Sequence, residues 1–272
     1  MQNSGYEPMV CGDLPILVVT PHTGTALPSE LLRHPAWVPI EGRLADPAGT
    51  LLRSAARRAG ASVFSAHYHP CVIDFNVAAD NRSLTPSLNR LGLCRTHTSR
   101  GEALYEPGAE LSADEVERRV EAYWRPFHRC VADELSRLRA RHEHVLLLVS
   151  HASFWLSPYR LQPGGMDCNV GTYRGESCDR RLVSSLTEAV QAHGRSWVVN
   201  GRIADCFAAQ HYGQPAAGVH AIELEVAGRW RTDCTACIDE AAAGSAGLEA
   251  VWLDVLRALE LRLKQLSRAE TL

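Results

Sequence analysis

Histidine and carboxylate side chains stand where short apolar runs stop. His22 follows Leu14-Pro15-Ile16-Leu17-Val18-Val19-Thr20-Pro21, His151 follows Val145-Leu146-Leu147-Leu148-Val149-Ser150, and Glu225 lies within His220-Ala221-Ile222-Glu223-Leu224-Glu225-Val226. Short runs rich in β-branched residues, with helical stretches between them, read as buried strands of an α/β sheet. The carboxyl ends of such strands face a crevice where ligands bind. Two imidazoles and a carboxylate along that edge suit a divalent cation and a general base.

Other chemistries lack their residues. Of 28 Lys and Arg residues only Lys264 is lysine, and it sits in the last amphipathic stretch, so neither a phosphate-cradling Gly-Lys-Ser/Thr loop nor a strand-end Schiff-base lysine is present. No Gly-x-Ser-x-Gly elbow occurs. A formal charge of −3 gives no electrostatic footprint for nucleic acid or an anionic membrane. No apolar run reaches the roughly 18 to 20 residues of a bilayer span and no signal-type segment opens the chain, so the expectation is a cytoplasmic protein acting on a small molecule. No oligomeric state follows. Nine scattered cysteines do not form a disulfide framework, and Cys234-Thr235-Ala236-Cys237 reads as an incidental loop pair. A thiol-based enzyme using that pair is the poorest of the readings.

The elements that must position these residues alternate along the chain. Strands are expected at Leu14–Thr20, Ser62–Ala66, Cys71–Phe75, Trp197–Asn200 and Val219–Val226, with a further one ending at His151. Helices are expected near Thr50–Arg58, Ala113–His142, Arg180–His193 and Glu249–Leu266. In the second of these Val116, Val120, Tyr123, Phe127, Val131, Leu135 and Leu138 repeat at helical steps, Ser112 and Asp114 offer capping oxygens, Pro126 should kink the helix, and the Arg137–Arg141 run reads as a solvated face. Residues 76 to 112 are rich in Asn, Ser, Thr, Pro and Gly and read as a long loop. A chain of 272 residues with 46% hydrophobic content can bury one sizeable core, so a single domain over residues 1–272 is expected.

A series of short motifs then resembles one family in order and spacing. They are Pro21-His22-Thr23-Gly24-Thr25, Val72-Ile73-Asp74-Phe75-Asn76, Asp80-Asn81-Arg82-Ser83-Leu84, Gly92-Leu93-Cys94, Tyr123-Trp124-Arg125-Pro126-Phe127-His128, Asn169-Val170-Gly171-Thr172, Ser177-Cys178-Asp179, Asn200-Gly201-Arg202, His211-Tyr212-Gly213-Gln214-Pro215 and Gly218-Val219-His220-Ala221. Over about residues 14 to 260 the chain is similar to the N-formylglutamate amidohydrolases, or deformylases. The resemblance implies a three-layer α/β/α hydrolase with a mostly parallel or mixed central sheet, like the zinc carboxypeptidases. It also implies cleavage of formylglutamate at the end of histidine degradation. His22, Asp46 and His151 match the family's metal ligands, Glu225 matches the general base, and one divalent ion, zinc foremost, is implied. Asn76, Arg82, Arg202 and His211 fall at substrate-binding positions. Glu223 is expected on the opposite strand face and so to be the weaker candidate for the base.

Departures from the pattern fall where substrate or metal should be braced. Arginines of the family are replaced at Pro70, Val77 and Gln210, and no other side chain supplies both the charge and the planar fork of a guanidinium. Arg82, Arg95 or Arg202 would have to compensate. The aspartate two residues before the second histidine is Val149, and a Trp-His-Val-Asp continuation reads Pro47-Ala48-Gly49-Thr50. Lost outer partners of this kind typically cost about 10- to 100-fold in metal affinity or activity. Two expectations follow: a metal-dependent hydrolase of an N-formyl or N-acyl amino acid, formylglutamate or a less anionic relative, and, as the alternative, a catalytically weak or inactive relative that binds a small molecule or a protein.

Overall fold

The computed structural model describes residues 4–80, 92–98, 101–109, 111–152, 166–201, 207–239 and 245–269, with the side chain of His151 outside the description. Its centre is a six-stranded sheet built from β1 (Ile16–Thr20), β2 (Ser62–Ser65), β3 (Val145–Ala152), β4 (Cys168–Gly171), β5 (Trp197–Val199) and β6 (Val219–Val226), in the order β2-β1-β3-β6-β4-β5. β2, β1, β3 and β6 run parallel, whereas β4 meets β6 antiparallel and β5 follows β4. The sheet is therefore mixed, and of its four parallel strands β3 includes His151, β6 carries Glu225 and β1 leads into His22.

Strand periodicity divides the core into two layers. Leu17, Val19, Phe64, Leu147, Val149 and Ala221 pack on one side with Phe75, Phe127, Val131 and Leu135. Ile16, Val18, Leu146, Leu148, Ile222 and Leu224 pack on the other with Leu52, Leu186, Trp230, Trp252 and Leu256. The first side is covered by α2 (Ala113–Arg119) and α3 (Arg125–Arg139), the second by α1 (Pro47–Ala59), α4 (Arg180–Ala192), α6 (Gly228–Asp239) and α7 (Ser245–Ala269). Three layers result, as the sequence leads one to expect. A short helix, α5 (Phe207–Tyr212), packs against β6.

Four local expectations are corrected. Cys71–Phe75 is buried but forms no strand. The outer side of β2 is taken by the N-terminal segment, where Glu7 and Val10 donate backbone bonds to Ser65 and Val63, so the 71–75 amides turn to His69 and Leu93 instead. In the long helical stretch the disturbance precedes Pro126: a π-turn over Val120–Trp124 separates α2 from α3 and absorbs the amide that proline lacks. Cys234 and Cys237 lie on α6, not in a loop. Both are buried, and burial pushes the Cys234 thiol up to about 12, which is packing chemistry rather than nucleophile chemistry. Ser112 does cap α2, accepting from the Glu115 amide. The Arg137–Arg141 run is more than a solvated face, since Arg137 bonds Glu134 and the Gly12 carbonyl while Arg141 pairs with Asp13.

At the sheet edge remote from His22, a buried histidine pair joins the starts of β3 and β6. The Asp179 amide donates to His220 Nδ1 at 3.2 Å, so Nε2 carries the proton and donates to His144 Nδ1 at 3.1 Å. Burial, and then the facing His144, pushes the His220 pKa down to about 4, with Asp179 opposing and Arg139 and Arg181 assisting. An unfolded histidine protonates near pH 6.5, so the unfolded state takes up protons first. The contribution of this pair to stability is expected to be whole above about pH 6.5 and to decline by on the order of 3 kcal/mol as pH falls to about 4. Urea unfolding across that interval checks this, and His220→Asn should make the slope shallower, leaving the part due to His69 and His128, whose pKa values burial also lowers. An unchanged midpoint in the native chain would refute it.

Candidate active site

The carboxyl edge of β1, β3 and β6 carries His22 and Glu225, and Asp46 bonds Ser150 of β3 there. His22 lies two residues past β1, in a turn held by Thr20 Oγ1 against Ser65 Oγ at 2.8 Å and Thr23 Oγ1 at 2.9 Å. His22 is fully buried. Its Nδ1 accepts the backbone N–H of Ala152 at 3.0 Å, so Nε2 is the protonated nitrogen and donates to Asp74 Oδ1 at 2.7 Å. One imidazole thus ties the end of β1 to the end of β3.

Asp74 is the centre of a buried charge network. Its second oxygen, Oδ2, accepts from Arg95 Nη2 at 2.5 Å, and Oδ1 also accepts the Asn76 amide N–H at 2.9 Å. Burial alone would raise the Asp74 carboxyl, but the facing His22 and Arg95 outweigh it and hold the group well below the usual carboxylate range. Arg95 is 1% exposed and pairs with Asp74. Beside it His69 is kept neutral, its pKa lowered to about 3 by burial and then by the Arg95 charge.

Asp46 does more than its family match implies. It caps α1: Oδ1 accepts the Gly49 amide at 2.9 Å, Oδ2 accepts Ser150 Oγ at 2.5 Å, and Pro47 occupies the first helical position. A Cβ at Gly49 would fall on the Asp46 carboxylate, which explains a glycine inside the first turn. The pattern Asp-Pro before an Ala-rich helix is a local signal for this cap.

On β6 the two glutamates share a face, contrary to the expectation for Glu223, because strand side chains alternate and residues two apart point the same way. Glu225 is buried and receives one long hydrogen bond, 3.5 Å, from Asn169 Nδ2 on β4. Its main chain is in register with His151 on one side and Asn169 on the other. Glu223 is fully buried and accepts from Asn76 Nδ2 at 2.7 Å and from the Ala209 amide at 2.9 Å. The period-two spacing of these glutamates could have revealed it.

Among the expected substrate binders, Asn76 is buried against Glu223, and His211 is exposed on α5, stacked on Phe207 with ring centroids 5.0 Å apart. Arg82 and Arg202 lie outside the described residues. His128 is a helix residue: Nε2 donates to the Phe75 carbonyl and Nδ1 accepts the Tyr212 hydroxyl at 2.6 Å. Where guanidinium groups are missing, Val77 is buried in the apolar core, Pro70 is buried, and Gln210 donates to Tyr173 Oη at 3.1 Å.

The donor set suits a hard or borderline divalent cation. Each carboxylate oxygen has two lone pairs, so Asp46 keeps acceptor capacity beside its cap and its serine. His22 holds its carboxylate partner on Nε2, the arrangement that orients a ligand imidazole, and would exchange the Ala152 N–H on Nδ1 for a cation. Among the described residues no three such side chains converge closely enough to form a complete cage, and the third expected ligand, His151, lies outside the description.

A mixed α/β/α sheet that gathers histidines and carboxylates at the carboxyl edge of its parallel strands defines an enzyme of the three-layer α/β class. More narrowly, the chain belongs to the N-formylglutamate amidohydrolase family, whose model matches residues 14–230. It is 36% identical over 227 residues to an N-formylglutamate deformylase of Pseudomonas aeruginosa, covering 79% of this chain and 81% of that one. It is also 36% identical over 219 residues to the deformylase of Pseudomonas putida, with the same coverage. The crystal structure of N-formylglutamate amidohydrolase from Ralstonia eutropha superposes with a TM-score of 0.71 at 18% identity, covering 96% of this chain and 98% of that chain. A gene product of Agrobacterium tumefaciens reaches 0.69 at 12% identity, covering 96% of each. These structures share the fold. The family and its named deformylases make the chain an amidohydrolase.

Proposed function

We propose that this amidohydrolase cleaves the amide of an N-formyl or N-acyl amino acid, formylglutamate or a less anionic relative, with His22, Asp46 and His151 holding one divalent cation, zinc foremost. The observation that carries the reading is the register of β3 and β6, which pairs the main chain of His151 with that of Glu225, next to the Ala152 amide that bonds His22. When bound, the cation would make a water acidic enough to attack near pH 7 and would polarise the acyl oxygen. Glu225 has acceptor capacity left beyond its one long bond to Asn169, so it takes the proton of the attacking water and delivers it to the departing nitrogen. Asp74 fixes the ring of His22 and its tautomer. Asn169 steadies Glu225 while its own Oδ1 accepts the Gly201 amide.

A second reading, a weak or inactive relative serving as a binding module, is favoured by one observation: the lone pair of His22 rests on a backbone amide. Metal analysis after zinc reconstitution, with amine release measured over a panel of N-formyl and N-acetyl amino acids, separates the two. The hydrolase reading expects close to one ion per chain, turnover that a chelator abolishes, and recovery on adding zinc. Protein that stays metal-free and inert across the panel would leave the binding module standing.

A further inference from the structure

Residues 72–77 carry Asp74, yet this buried segment belongs to no strand, so its carbonyls need partners from elsewhere. Three of them are taken by side chains of one helical stretch. Arg119 Nη1 donates to the Val72 carbonyl at 2.8 Å, Trp124 Nε1 to that of Val77 at 2.9 Å and His128 Nε2 to that of Phe75 at 3.0 Å. All three donors are buried. Their spacing needs the π-turn. In a regular α-helix, residues five apart such as Arg119 and Trp124 stand about 140° apart around the axis. The π-turn over Val120–Trp124, closed by the Arg125 amide on the Val120 carbonyl, adds one residue to the turn and brings Trp124 round toward the side of Arg119. His128, four positions on, follows on that side with its ring 4.0 Å from that of Trp124. Because the Phe75 carbonyl can only accept, His128 Nε2 carries the proton, and Nδ1 accepts the Tyr212 hydroxyl of α5 at 2.6 Å. Burial, and then the charge of His211, lowers the His128 pKa to about 3, so the neutral ring keeps both bonds at neutral pH.

Resting on the hydrolase reading above, we propose that Arg119, Trp124 and His128 are positioning residues of the active site, and that the π-turn is the device that lines them up. By holding the Val72, Phe75 and Val77 carbonyls they fix the chain on both sides of Asp74, and Asp74 in turn receives His22 Nε2–H at 2.7 Å. A carboxylate that orients a ligand imidazole must itself be held. Losing such an outer partner typically costs about 10- to 100-fold in metal affinity, and an interrupted helix turn of this kind is found most often beside functional sites.

Two readouts test this, one without metal and one with zinc. In metal-free protein carrying isotope-labelled histidine, the His22 Nε2 proton, held between imidazole and carboxylate, gives an NMR signal downfield of the amides. Its position reports the geometry of that bond in the folded state and not the stability of the fold. In Trp124→Phe, which keeps a ring and removes the N–H, and in His128→Leu, the signal is expected to move upfield and zinc affinity to fall by about tenfold. His128→Gln, whose amide N–H can reach the Phe75 carbonyl, should return both toward native. Leu135→Ala removes packing from the same helix and core but no hydrogen bond to residues 72–77, and should leave the signal in place although the fold is weaker. A His22 signal at its native position in both donor variants, zinc affinity within about twofold of native in them, or an equal displacement by Leu135→Ala would overturn the assignment. Should His128→Leu fail to fold, Trp124→Phe decides it alone. A native chain that takes up no zinc would overturn the hydrolase reading, while the proton signal, read without metal, still decides the positioning.

Discussion

Glu225→Gln is expected to lower kcat by about 10²- to 10⁴-fold while the zinc content of the reconstituted protein stays at the native level. Glutamine keeps the side-chain volume and can still meet Asn169, so β6 and its pairing with β4 should survive. What it cannot do is accept and return a proton. Because Glu225 is assigned to the water and not to the cation, metal analysis and turnover should part company in this variant. Equal loss of metal and activity would make Glu225 a ligand, and retention of more than about a tenth of native kcat would remove it from proton transfer altogether.

The second large effect is on stability. Asp74→Ala is expected to cost about 3 to 5 kcal/mol, because it takes a buried carboxylate from both Arg95, 1% exposed, and His22. Asp74→Ala combined with Arg95→Met should cost clearly less than the sum of the single changes, since the two groups pair with each other. The single variant should also bind metal about 10- to 100-fold more weakly, because His22 Nε2 loses the carboxylate that fixes its orientation. Urea unfolding and metal titration read the two consequences separately. If Asp74→Ala costs less than about 1 kcal/mol, the network is not the brace described above.

Much of the fold was legible because it rests on local periodicity. The β-branched runs gave β1, β3 and β6 nearly to the residue, and helical spacing gave α3, α4 and α7. The failures share a cause. Cys71–Phe75 has the composition of a strand, but whether a buried run pairs depends on a free sheet edge, and the N-terminal segment already holds that edge. The family motifs brought His22, Asp46, His151 and Glu225 forward as a set, and the register of β3 and β6 sets the main chains of His151 and Glu225 side by side. Glu223 was readable from its spacing to Glu225. Arg95 was not, because nothing local to Cys94-Arg95-Thr96 reports a carboxylate 21 residues earlier.

The sequence by itself determined which residue types stand at strand ends and which family they belong to, since strand periods and motif order are properties of neighbouring residues. Tertiary structure alone decided how the charges are spent: Arg95 on Asp74, Asp74 on His22, and Asn76 on Glu223. Ionic hydrogen bonds act over a few ångströms of space without regard to chain separation, and in a buried site each donor that one carboxylate takes is a donor withheld from the substrate.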